Sequence, residues 1–88
     1  MEVLAKAGIE NGLPKKQAEL LAVQTAVGAG LLAQSSTFSP AELRVMVTSK
    51  GGTTAAALKV LEDEKFSEIF LRGLQAAQNR SRELSQAY

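Results

Sequence analysis

"PKKQAELLAVQTAVGAGLLAQ", residues 14–34, decides what kind of protein this chain can be. Ala22, Ala26, Ala29 and Ala33 recur at i, i+4, i+7 and i+11, with Leu20, Val27 and Leu31 as a bulkier stripe beside them. That period is helical. The small residues let a second helix approach closely, and Gly28 and Gly30 each cost about 1 kcal/mol against alanine unless close packing offsets it. So little polar surface lies between Ala18 and Ala33 that the helix calls for cover on most sides. An 88-residue chain can hardly supply that cover, so a second subunit or domain is implied; the plainer alternative is the central core helix of a monomer.

Working outward, every long segment is rich in Ala, Leu, Glu, Lys and Gln, and none alternates with a period of two. The reading is all-α: a small bundle of about five helices, in one domain covering residues 1–88. The first helix, Met1 to Asn11, lacks an N-cap and is expected to begin upstream of Met1. Gly12 suits its C′ position, and Pro14 opens the second helix. Ser39-Pro40-Ala41-Glu42 is a capping box with Phe38 placed to staple onto Leu43. The third helix should run to Val47 or Thr48 and bury Leu43, Met46 and Val47. A fourth starts at Thr53 or Thr54, with Leu58 and Leu61 apolar. "EDEK", residues 62–65, marks a break before a fifth helix bearing Phe66, Ile69, Phe70, Leu74 and Ala77, whose polar end "NRSRELSQAY" should fray.

The net charge is +1, so nothing demands a nucleic acid or an anionic membrane as partner. Without Cys or His, thiol chemistry, the usual general base and the commonest metal ligand are excluded. Glu62, Asp63 and Glu64 form an acidic cluster without ligand spacing, so no metal is expected. Arg72, Arg80 and Arg82 are interspersed with Glu68 and Glu83 and read as a solvated face. Glu19, Gln24 and Thr25 interrupt the most apolar window, which is too short for a membrane span. A soluble protein is expected, and the absence of Cys fits a reducing cytoplasm.

One segment invites chemistry. In "TSKGGTTAAAL", residues 48–58, two glycines precede the amide-rich, positive end of a helix, with Lys50 beside them. Carboxylate or phosphate suits such a place. Yet the P-loop order is absent, and so is any G-x-G-x-x-G. Read alone, "KGGTT" is more readily a plain helix–helix turn capped by threonine.

"GLPKKQAELLAVQTAVGAGLL", "SPAELRVMVTSKGGTTAAALKVLEDEKF" and "AAQNRSREL" together resemble the C-terminal domain of the pyrroline-5-carboxylate reductase family. Most specific is residues 42–58, similar to the family's Leu-Arg-x-x-Val-Thr-Ser-Pro-Gly-Gly-Thr-Thr run, with Lys50 where the family has proline. The resemblance implies reduction of 1-pyrroline-5-carboxylate to L-proline with NADPH or NADH, in proline biosynthesis. It implies an all-helical bundle interlocked as a homodimer, assembled further into larger rings, and a nucleotide-binding Rossmann domain that is absent from this chain. It also implies that Ser49, Gly51, Gly52 and Thr53 hold the substrate carboxylate, while the Thr54 hydroxyl contacts the ring nitrogen as the catalytic group. No cofactor would bind this domain, and alone it would be inactive. Two alternatives stay open: a helix-turn-helix DNA-binding module in residues 41–64, and a purely structural helical dimerisation module. The first is poor in base-reading side chains, since its second helix opens on Thr53, Thr54 and three alanines.

Overall fold

The computed structural model describes residues 1–87 and contains five helices and no strand among them: α1 (Glu2–Glu10), α2 (Lys15–Ser35), α3 (Pro40–Met46), α4 (Thr53–Asp63) and α5 (Phe66–Ala87). The chain divides into two units, Met1–Arg44 and Val45–Tyr88.

In the first unit α1 packs on α2. Its core is three alanines, Ala5, Ala18 and Ala22, the last two only 2% exposed. Gly8 makes the close approach possible, because a Cβ there would stand 3.2 Å from Leu13 Cδ1 and 3.3 Å from Ala18 Cβ. α1 ends as the sequence requires. Gly12 sits at φ +101°, its N–H donates to Ile9 O at 3.0 Å, and the Leu13 N–H donates to Gly8 O at 3.0 Å. This is a complete Schellman ending. Pro14 falls at the N-cap of α2, one place before the N1 position its rigid φ suggested.

α3 opens on the capping box. Glu42 N–H donates to Ser39 Oγ at 3.1 Å, and Ser39 N–H donates back to Glu42 Oε1 at 3.1 Å. The helix stops at Met46, short of the expected Val47 or Thr48. Burial there differs from expectation. Leu43 is half-buried, but Met46 and Val47 are each 62% exposed. Along α2, Leu20, Val27 and Leu31 are likewise exposed, and a Cβ on Gly28 or Gly30 would meet nothing within 4 Å. Within the first unit, α2 lacks the cover these residues call for.

In the second unit α4 packs on α5, and Phe66 and Phe70 set their rings 5.7 Å apart at 40°. α5 stays helical through Ala87, where fraying was expected; residue 88 lies outside the described residues. Its polar face is laced by Arg80–Glu83 at 2.9 Å and by Gln75 donating to Gln78 and Asn79.

Candidate carboxylate site at the head of α4

Residues 49–54 all lie in the second unit. Ser49 O accepts the Gly52 N–H at 3.0 Å, closing a four-residue turn, Ser49-Lys50-Gly51-Gly52. Gly51 stands at φ +74°, while Lys50 is not among the residues of positive φ. A positive φ at the third position alone matches the pattern of a type II turn, which asks for glycine there and favours proline at the second position. Lys50 occupies that second position, exposed, and is the one ionisable residue between Val45 and Leu58.

Gly52 then becomes the N-cap of α4, in extended backbone at φ −84° and ψ 179°. Its Cβ would lie 2.6 Å from Ser49 Oγ and 3.2 Å from Ser49 O, so a side chain there forces the turn to shift. The sequence pointed to a threonine as a possible cap. Instead Thr53 and Thr54 are the first two helical residues, and α4 has no side-chain cap bond. The first bond of the helical ladder here is Ala56 N–H to Gly52 O, at 3.1 Å. The amides of Thr53, Thr54 and Ala55 therefore have no acceptor among the described residues, nor have the hydroxyls of Ser49, Thr53 and Thr54 a hydrogen-bond partner there. The Gly52 N–H, by contrast, is spent inside the turn.

What remains is a run of first-turn amides at the positive end of an 11-residue helix, flanked by three hydroxyls and one ammonium group. Thr54 is half-buried and Thr53 exposed. Such a place stabilises an anion with two acceptor oxygens, and a hydroxyl beside it can bond a neighbouring ring atom. It offers no general base of ordinary pKa near 7. A groove of about 490 Å³ lies in the first unit against Ala5, Ile9, Ala22 and Val23, and none of residues 49–54 lines it.

Residues 1–84 match a family profile described as pyrroline-5-carboxylate reductase dimerisation. The chain belongs to that family. It is 43% identical over 86 residues to a pyrroline-5-carboxylate reductase of Pseudomonas aeruginosa, a match covering 98% of this chain and 32% of that protein. A solved pyrroline-5-carboxylate reductase of Coxiella burnetii superimposes with a TM-score of 0.86 at 47% identity, over 94% of this chain and 31% of the other. The Plasmodium falciparum pyrroline carboxylate reductase solved with NADP bound gives 0.81 at 32% identity, over 86% and 31%. The chain thus spans about a third of the length of the curated relatives it matches. The helix-turn-helix alternative is not favoured, since the relatives are reductases. No helix among the described residues is long and apolar enough to cross a membrane.

Proposed function

We propose that this chain is the self-association and substrate-holding domain of a cytoplasmic pyrroline-5-carboxylate reductase, which reduces 1-pyrroline-5-carboxylate to L-proline with NADPH or NADH in proline biosynthesis. The observation that carries the reading is the turn at residues 49–52. It sits inside the stretch matched to the dimerisation family, and it leaves the Thr53, Thr54 and Ala55 amides without acceptors. Ser49, Gly51, Gly52 and Thr53 receive the carboxylate. Gly52 does so by leaving room and Thr53 by donating its N–H; Ser49 brings a hydroxyl, and Gly51 sets the turn. The Thr54 hydroxyl orients the imine nitrogen.

The reading assigns no dinucleotide contact to this chain, whose sequence holds no G-x-G-x-x-G. The nucleotide belongs to a separate Rossmann domain of the whole enzyme, and the nicotinamide supplies the hydride. The part played by this chain is to bind, orient and polarise, tasks that require no histidine. By itself it is expected to be inactive. The exposed apolar residues of α2 and α5 serve assembly, as a homodimer or a larger ring.

Titrating L-proline into labelled protein, with amide shifts recorded, tests the site. Saturable shifts confined to the Ser49–Ala55 neighbourhood are expected, with acetate competing weakly. Shifts elsewhere, or none in that segment while the protein is folded and self-associated, would overturn it.

A further inference from the structure

Helix α4 ends without a glycine or proline stop. From Thr53 to Arg72 the sequence holds neither residue, and the strong helix formers Glu62, Glu64, Lys65 and Glu68 span the joint. The break is made by one residue, Lys65, at φ +62°. α1 ends on a glycine with both Schellman bonds. α4 has only the inner one, Lys65 N–H to Glu62 O at 3.1 Å, and none from Phe66 N–H among the described residues.

Lys65 O already accepts the Ile69 N–H at 3.0 Å, so a single left-handed residue separates two hydrogen-bond ladders. The amides of Phe66, Ser67 and Glu68 have no acceptor among the described residues. A continuous helix would give them the carbonyls of Glu62, Asp63 and Glu64. It would also set the Lys65 ammonium between Glu62 and Glu68, three residues away on either side, against one like-charged pair, Glu64 and Glu68. Packing opposes this weakly. Thr54, Ala55 and Leu58 are half-buried in α4, but no described side chain of α5 is even half-buried.

We propose that the Glu64–Lys65 joint is a two-state device. The free chain exchanges between this bend and one continuous helix from Thr53 through α5, and the bend prevails where the Phe66, Ile69, Phe70 and Leu74 stripe packs on a second copy. This does not depend on what residues 49–54 bind.

The chain has no cysteine, so spin labels can be placed on Ala57→Cys and Ser81→Cys without background. In a continuous helix these positions lie about 36 Å apart, at about 1.5 Å per residue. Pulsed dipolar distances are read for dilute labelled chain with Lys65 unchanged, with Lys65→Ala and with Lys65→Gly. A component near that length is expected beside a shorter one. Lys65→Ala should raise its share, while Lys65→Gly or excess unlabelled chain should cut it several-fold. A single shorter distance in all three backgrounds, or a long component indifferent to residue 65 and to added chain, overturns the proposal.

Discussion

The first unit holds all three of the buried side chains found among the described residues, and the second holds none, though it carries the turn at residues 49–52. The two stretches are of equal length and both helical. Their difference lies in what fixes them. In the first, α1 and α2 approach through Gly8, Ala5, Ala18 and Ala22, so backbone proximity makes a core without large side chains. In the second, order is local: a turn, a helix head, a single left-handed residue and polar pairs along α5. Its large apolar residues, Phe66, Ile69, Phe70, Leu71 and Leu74, are all at least 49% exposed. One unit spends its small residues on its own core; the other leaves its large ones for another surface.

That comparison breaks most readily at Ala18. Ala18→Leu inserts three carbons where Gly8 and α1 leave no space, and should cost about 1–3 kcal/mol. The matching change in the second unit, Ala57→Leu, lies on an exposed position and should stay within about 0.5 kcal/mol. Urea unfolding followed by helical circular dichroism reads both. Equal effects would mean that the two units share one mode of stabilisation.

Next in size is the turn. Gly51→Ala forces a Cβ into φ +74° and should cost about 1–2 kcal/mol. Gly52→Ala, in ordinary backbone, instead pushes on Ser49. It should weaken proline-induced amide shifts more than it lowers the unfolding midpoint. Lys50→Pro works in the opposite direction. The second position of a type II turn accepts proline, and the Lys50 N–H makes no main-chain hydrogen bond among the described residues. Fewer unfolded conformations should then add about 0.4–1 kcal/mol, visible as a higher melting temperature. A loss instead would show that the turn is not type II in solution.

Much of this was legible in the sequence, for reasons that differ by region. Gly12 and the Ser39–Glu42 box announce themselves because backbone rules act within four residues. The glycine pair was legible as a turn ahead of a helix. Which amide stays free was not, because it depends on whether Gly52 donates into the turn or outward. The threonines looked like caps by composition, yet the extended backbone at Gly52 moved the cap one residue earlier. Burial of Met46 and Val47 was misjudged because periodicity tells which face is apolar and not what covers it. The polar end of α5 looked weak for want of apolar residues, though its side-chain pairs at i, i+3 and i, i+4 sustain helix.

The smallest effect belongs to the carboxyl of Glu42. The Ser39 main-chain N–H, and then the Ser39 hydroxyl, hold the Glu42 carboxyl below its ordinary range. A folded pKa below the unfolded one stabilises the protein above the unfolded value, about 4.3 for glutamate. The contribution fades as pH falls from there through the folded value. Glu42→Gln should therefore be less stable than the parent at pH 7, and the gap should close in acid. Carbon-13 titration of the side-chain carboxyl checks the cause directly. Ser39→Ala removes the hydroxyl but keeps the N–H, so it should return the Glu42 pKa only part of the way to its ordinary value. A full return would transfer the main role from the backbone bond to the hydroxyl, and no return would leave the N–H as the whole cause. Since this box lies in residues 1–44, acid should loosen the head of α3 while the Ser49–Gly52 turn, which contains no carboxylate, keeps its amide shifts unchanged.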